Sequence, residues 1–359
     1  MSGRIPFKKN FSEESIAMKI VPFQRLVIFL MGFVVFAVSP VVAQDKGVYA
    51  IIVHGGAGSS PAQLGDQARR GREQAVERVL KVGVAVLKDG GTSLDAVEKV
   101  IRSMEDDPIF NAGKGAVFNS AGGHELDASI MNGKDLSCGA VAGVGVVKNP
   151  ISLARLVMTK TRHVLLAGDG AERFGREMGV EIVGQDYFST ETARKRWERT
   201  KKKQEADRER KGATFPSVRP SYLGTVGCVA LDRFGNIAAG TSTGGLSNKK
   251  YGRIGDSPIV GAGTYADNRT CGVSCTGIGE HYIRNAIAYD ISAQMKYTNC
   301  TVTQAVDTAI KKTLKPGYGG IIALDRKGNM AAGYNTGGMT RGMANSKGLF
   351  VVRLGKDPK

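Results

Sequence analysis

The sequence predicts an α/β fold in which two sheets are each covered by helices on their outer faces. Three observations predict it. Apolar runs of strand length alternate with segments whose apolar residues recur at helical spacing. One stretch of 18 residues occurs twice, each time as strand, turn, strand. Strands and helices are also mixed on both sides of a single charged segment at about 187–222.

The elements follow in order. Val48–Val53 is an apolar strand run ending in His54-Gly55-Gly56-Ala57-Gly58, a glycine-rich turn without the spacing of a phosphate loop. From about Gln67 to Asp89, residues Ala75, Val76, Val79, Leu80, Val82 and Leu87 keep helical spacing, and Gly90-Gly91 stop the helix. Thr92 caps a second helix running to about Met104, with Asp95 in the capping-box position. Glu105–Gly115 reads as a loop; its acids would suit a hard cation or simply a solvated helix end. His124–Ile130 alternates like a strand and turns at Asn132-Gly133. Cys138–Val147 reads as a buried strand. Leu153–Met158 is a short helix, His163–Ala167 a strand, and Gly168–Met178 a helix. Gly277–Tyr297 puts Ile283, Ala286, Ile287, Ile291 and Met295 on one helical face, and a further helix runs from about Thr301 to Leu314.

The charged segment differs from all of this. Arg194–Lys211 holds ten basic and four acidic residues and little that is apolar except Trp197. It reads as a solvated helix or a disordered linker with no core-facing stripe, followed by Pro216 and Pro220.

The repeat comes next. Val229–Leu246 and Ile322–Met339 agree at twelve of eighteen positions, and each carries an Asp-Arg-x-Gly-Asn turn between two strands. The hairpin is therefore architecture. What precedes it differs: Gly224-Thr225-Val226-Gly227 before the first copy, Gly317-Tyr318-Gly319-Gly320 before the second. Only the first offers a hydroxyl.

Composition narrows the classes of function. The formal charge is +17, but much of the excess lies in the N-terminal segment and in Arg194–Lys211, and no aromatic-rich basic platform accompanies it. A nucleic-acid partner is not expected. The five cysteines are odd in number and form no CxxC, and Cys271 and Cys275 lie roughly 13 Å apart at strand rise. Neither a disulfide framework nor a metal cluster follows. Lys19 and Arg25 flank the start of an apolar run, Leu26–Val38, closed by Pro40 and Val41-Val42-Ala43. This pattern predicts a signal peptide over residues 1–43, with Met18 as an alternative start and cleavage near Ala43. The run is short for a span of about 20 residues, so an uncleaved anchor is the weaker reading. A secreted or periplasmic location and no membrane contact after signal removal are expected.

The chemistry centres on Thr225. A threonine hydroxyl is a weak nucleophile and needs a base. The four histidines, His54, His124, His163 and His281, lie in no nucleophile-elbow context. A threonine freed at a chain start carries its own base, an α-amine with a pKa of about 7.7–8.0. Cleavage of Gly224–Thr225, between a charged segment and an apolar strand, would create one.

Thr225-Val-Gly-Cys-Val-Ala-Leu-Asp, Thr241-Ser-Thr-Gly-Gly, Gly252-Arg-Ile-Gly-Asp-Ser-Pro, Gly261-Ala-Gly-Thr-Tyr-Ala-Asp and Cys275-Thr-Gly-Ile-Gly-Glu280 together resemble the plant-type asparaginase / isoaspartyl peptidase family of N-terminal nucleophile hydrolases. Val53-His-Gly-Gly-Ala-Gly, Phe110-Asn-Ala-Gly-Lys-Gly and His124-Glu-Leu-Asp-Ala extend the resemblance, which covers about residues 48–340. It implies a four-layer αββα sandwich made as a precursor. Self-cleavage would yield an α chain (44–224) and a β chain (225–359) that stay together as one catalytic domain. It implies Thr225 as nucleophile with Thr243 hydrogen-bonded to it. Arg253 and Asp256 would hold the substrate's carboxylate and amine. Thr276, Gly277 and Gly279 would form the oxyanion hole and further contacts, and Asn111 would add a polar contact. No catalytic cofactor is implied. A structural sodium would be held by the carbonyls of Met104, Glu105, Asp107, Phe110, Ala112 and Lys114, of which Lys114 departs from the family pattern. The expected substrates are L-asparagine and β-aspartyl dipeptides, and the expected assembly is a dimer of αβ units. Glycosylasparaginases share the chemistry but carry Thr-Gly-Asp-Gly-Asp where this chain has Thr276-Gly-Ile-Gly-Glu280. An inactive ligand-binding scaffold is the remaining alternative.

Overall fold

The computed structural model describes residues 47–58, 60–211 and 224–355. The expected signal peptide (1–43) and the end of the charged segment (212–223) lie outside them.

Eight strands form one sheet. In chain order its members are β1 (Ala50–Gly58), β2 (Leu126–Asn132), β3 (Cys138–Val144), β4 (Leu165–Ala167), β5 (Val226–Leu231), β6 (Ile237–Thr243), and, near the C-terminus, β11 (Gly338–Asn345) and β12 (Phe350–Arg353). Their spatial order is β12-β11-β1-β5-β6-β2-β3-β4, antiparallel except for the β3–β4 pair. A second sheet holds β7 (Thr264–Ala266), β8 (Cys271–Gly277), β9 (Gly319–Asp325) and β10 (Met330–Tyr334) in the order β10-β9-β8-β7. The helices are α1 (Asp66–Lys88), α2 (Ser93–Glu105), α3 (Pro150–Lys160), α4 (Gly168–Glu177), α5 (Glu191–Lys211), α6 (Gly279–Arg284), α7 (Ile287–Thr298) and α8 (Val302–Thr308).

Two-residue alternation sorts the central strands into layers. In β1, Ile51 and Val53 meet Val76, Leu80 and Val100 of α1 and α2 in the outer core of the large sheet. Ala50 and Ile52 face the other way, into a core shared with Val229, Leu231, Ile237, Ile322 and Leu324. In β8, Val273 and Cys275 pack outward against Tyr282, Ile287, Ile291 and Val306 of α6, α7 and α8. The order is therefore helices, sheet, sheet, helices: the αββα sandwich.

Both copies of the repeat are hairpins, one in each sheet. Asp232 Oδ1 accepts the Phe234 and Asn236 N–H groups at 3.0 Å, and Asp325 Oδ1 accepts those of Lys327 and Asn329 at 2.9 Å. The glycine of each turn, Gly235 or Gly328, takes the left-handed φ (76° and 82°) that other residues resist.

Several boundaries move. The predicted helix over 277–297 is two, α6 and α7, broken where Ala286 turns left-handed (φ 45°). The helix from Thr301 changes at Ala309–Thr313 to a wider turn, and α3 is longer than its apolar core of 153–158. Strand β3 stops at Val144, short of Val147. The charged segment departs most. Phe188 lies fully buried in the main core, so the linker cannot begin at 187. Residues 191–211 are helix, and Ala193, Trp197, Thr200 and Gln204, flanked by the half-buried Arg196, Lys201 and Asp207, lie on the less exposed side that the charge pattern concealed. All five cysteines are free.

Candidate active site

Thr225 lies at the mouth of the inter-sheet layer, one residue before β5. It shares the parity of Val229 and Leu231, so its side chain belongs to that layer. Thr243 ends β6 on the same face, and the ladder pairs Val226 with Ser242, which sets Thr225 beside Thr243. Their hydroxyls are 3.0 Å apart and buried. Thr243 Oγ1 also accepts the Gly245 N–H at 3.0 Å, which leaves its own hydrogen to point at Thr225. Thr336, the equivalent in the second copy, donates instead to the Gly338 carbonyl.

Asn111 clamps this corner. Its N–H donates to the Gly224 carbonyl (3.3 Å) and its carbonyl accepts the Gly244 N–H (3.1 Å). Its Nδ2 donates to the Gly245 carbonyl (2.9 Å) and its Oδ1 accepts the Val117 N–H (2.9 Å). A Cβ on Gly224 would stand 2.5 Å from Asn111 Cβ, so only glycine fits before Thr225.

The second sheet contributes Thr276. Its neighbour Cys275 faces outward, so Thr276 faces the inter-sheet layer, and β8 packs against β5 and β6. Thr276 is fully buried and its hydroxyl has no partner among the described residues. Gly277 lies under Tyr282 and the Tyr318 carbonyl, and Gly279 opens α6 against Arg253 and Asp256; a Cβ there would come 2.8 Å from Arg253 Nη2 and from the Asp256 amide nitrogen. Asp256 is buried with Oδ2 unpartnered, and burial pushes its carboxyl up to about 7. Arg253 is not paired with Asp256. It makes a two-pronged bond to Glu280, 2.9 Å on each arm, and the guanidinium holds the Glu280 carboxyl below its ordinary value against the opposing effect of burial. Asp127 joins the two groups. It lies opposite Thr243 in the β2–β6 ladder, burial raises its carboxyl, and the charges of Lys249 and Arg253 act on it. The site thus holds three unpartnered buried polar atoms, Thr276 Oγ1, Asp256 Oδ2 and Asp127 Oδ2. A ligand bearing an amine and an oxyanion would satisfy them.

Behind the site, the Glu105–Gly115 loop is buried at Glu105, which a solvated helix end would not be. Glu105 Oε1 accepts from Ser242 Oγ (2.7 Å) and the Ile151 N–H (3.1 Å), and burial raises the carboxyl to about 8. The Asp107 carboxylate is engaged by Arg78 and the Ile109 N–H. A cation in this loop would therefore meet main-chain oxygens. The Glu105 carbonyl crowds Gly113, and the Phe110 and Pro108 carbonyls crowd Gly115, where no side chain intervenes.

The sequence reading missed the buried hydroxyls that join the two sheets. His54 Nε2 meets Ser274 Oγ at 3.0 Å, Ser274 meets Thr241 Oγ1 at 2.7 Å, and Thr264 and Ser129 continue the chain. Burial pushes His54 down to about 3, so it is neutral at physiological pH. The signal was present in part: Ser274 and Thr276 flank Cys275 at the two-residue spacing of one strand face, and Thr241 and Thr243 keep the same spacing in β6.

A buried threonine hydroxyl one residue ahead of an inner strand, inside an αββα sandwich, matches the fold of the N-terminal nucleophile hydrolases. A profile described as asparaginase matches residues 47–353. The chain is 44% identical over 324 residues to a probable isoaspartyl peptidase/L-asparaginase 2 of Arabidopsis thaliana, covering 86% of this chain and 99% of that protein. It is 44% identical over 298 residues to the isoaspartyl peptidase of Escherichia coli (82% and 92% covered) and 43% identical over 292 residues to the human isoaspartyl peptidase/L-asparaginase (80% and 91%). The chain belongs to the asparaginase family.

Proposed function

We propose that this protein cleaves itself between Gly224 and Thr225 and then hydrolyses amides at a β-aspartyl carbonyl, taking isoaspartyl dipeptides and L-asparagine. The paired hydroxyls of Thr225 and Thr243, 3.0 Å apart and buried, carry the reading. Thr225 Oγ attacks the β-carbonyl and its proton passes to the freed α-amine of the same residue. Thr243 donates to the attacking oxygen. Thr276, with the backbone of Gly277 and Gly279, receives the negative charge that develops on the carbonyl oxygen. The amine leaves with a proton from the α-ammonium, and the β-aspartyl ester on Thr225 remains. Water deprotonated by the α-amine hydrolyses it and aspartate departs. Arg253 holds the substrate's α-carboxylate and Asp256 its ammonium.

The carbonyls of Met104, Glu105, Asp107, Phe110, Ala112 and Lys114 would hold a structural sodium, which would fix the loop that carries Asn111. It takes no part in the chemistry. The two chains would remain together because β1, from the first, lies between β5 and β11 of the second. A dimer of such units rests on kinship, and a secreted or periplasmic location rests on the 1–43 segment; among the described residues no helix is long and apolar enough to cross a membrane.

The relatives quoted are named for isoaspartyl peptides and asparagine, and Thr276-Gly-Ile-Gly-Glu280 departs from the glycosylasparaginase pattern, so that activity is the weaker alternative. The test compares rates on L-asparagine, β-Asp-Leu and a glycosylated asparagine, with a denaturing gel of the purified protein. Two fragments and activity on the first two substrates, lost in Thr225→Ala, are expected. A single uncut band, or activity surviving in Thr225→Ala, overturns the mechanism.

A further inference from the structure

Helix α5 carries the most basic stretch of the chain, and nothing in the proposed chemistry uses it. Its docked stripe nevertheless grips one point. The Trp197 ring stacks on Phe118 with centroids 5.5 Å apart, and Arg194 covers the same ring at 5.1 Å. Trp197 Nε1–H donates to Asn248 Oδ1 (3.1 Å), and Asn248 Nδ2 donates to Gln204 Oε1 (2.6 Å). Asn248 is thus held from two turns of one helix.

Asn248 sits at the middle of the connection that leaves β6 after Thr243 and reaches Arg253. It adopts a left-handed φ of 62°, a turn conformation that asparagine tolerates better than most residues. Its N–H donates to the Phe118 carbonyl (2.8 Å), and the next carbonyl, of Lys249, accepts the Ser120 N–H (2.8 Å). Lys249 turns inward to the Glu125 carbonyl (2.9 Å). The turn is fixed to Phe118–Ser120 below and to α5 above, and Arg253 hangs from its far end through its N–H bond to the Lys250 carbonyl (3.0 Å).

We infer that α5 is a positioning element for substrate binding: Trp197 and Gln204, by clamping Asn248, fix the 244–253 turn and so the carboxylate-binding Arg253. This deepens the proposed amide hydrolysis and rests on it. Helix α5 lies ahead of the cleavage point, so the mature α chain must keep it. Trp197, Gln204 and Asn248 are positioning residues and touch no reacting atom.

The test uses the full, self-processed protein. In Trp197→Ala, KM for β-Asp-Leu should rise about tenfold, the scale of one ring stack and one hydrogen bond, while kcat stays within about twofold and processing is complete on a denaturing gel. Lys202→Ala, on the exposed face of α5, should leave KM unchanged. Two readouts need no activity. Trp197 is the only tryptophan, so its emission should be blue-shifted and shielded from acrylamide in the wild type and lose both properties in Asn248→Ala. Amide exchange over 244–253 should quicken in Trp197→Ala. An active wild type with unchanged KM in Trp197→Ala overturns the inference and leaves the proposed function standing. A wild type inactive on all three substrates fails the function, and unaltered exchange then overturns the clamp as well.

Discussion

Replacing Thr243 with valine removes one hydroxyl and keeps the shape. Two hydrogen bonds depend on that oxygen: the one it accepts from the Gly245 N–H and the one it shares with Thr225 Oγ1, both 3.0 Å. They fail differently. Gly245 is half-buried, and water can replace the lost acceptor, so folding should weaken by about 1 kcal/mol or less. In the proposed reaction Thr225 Oγ gains negative charge as it attacks, and a bond to a charged oxygen is worth about 1.5–3 kcal/mol. The expected fall in kcat is therefore roughly 10- to 100-fold, at about 1.36 kcal/mol per decade. Thr243→Ser should recover most of it. The measurement is kcat on β-Asp-Leu for fully processed enzyme, with urea midpoints as control. A valine variant within twofold of wild type would show that Thr243 does not orient the nucleophile. A loss of rate matched by an equal loss of stability would reduce its role to packing.

Three further outcomes follow from the same geometry. Asp256, raised to about 7 by burial, must be ionised to meet a substrate ammonium, so KM for L-asparagine should fall as pH rises from about 6 to 8; a flat profile in the wild type, or the same slope in Asp256→Asn, counts against the assignment. Glu105 holds its proton up to about 8 in the folded chain against an ordinary 4.5, so the native state binds more protons in that window and loses stability as pH rises through it. Denaturant midpoints at pH 5 and 8 should diverge in the wild type and converge in Glu105→Gln. Gly224→Ala brings a Cβ against Asn111, and an uncut precursor band should persist; processing at the wild-type rate would remove Gly224 from the cleavage geometry.

Much of the fold was legible because its signals are local. The Thr92–Asp95 capping box closes with bonds of 3.2 and 3.3 Å, and the repeated Asp-Arg-x-Gly-Asn turn announced both hairpins. Thr225 stood out for a related reason: the repeat supplied its own control, a matching strand with no threonine at its start. What escaped depends on partners distant in sequence. Nothing near Arg253 says that Glu280 will reach it, and an acid at a helix end gives no sign that Ser242 and the Ile151 N–H will draw it inward. Helix α5 misled because ten basic residues swamp the few uncharged ones that dock. Ala193, Trp197, Thr200 and Gln204 keep helical spacing, but only Trp197 looks like a docking residue before its partners are known.

The strand order has a consequence for the life of the molecule. Before the Gly224–Thr225 bond is cut, β1 and β5 find each other within one chain, and refolding is a first-order event. In the two-chain form proposed above, β1 would lie between two strands of another polypeptide, and β2 would pair with β6 of that same polypeptide. Once unfolded, the mature enzyme would have to reassemble by encounter, at a rate set by concentration. The proposed cut would thus make folding a one-time event, and from then on the enzyme's lifetime would depend on how slowly it comes apart.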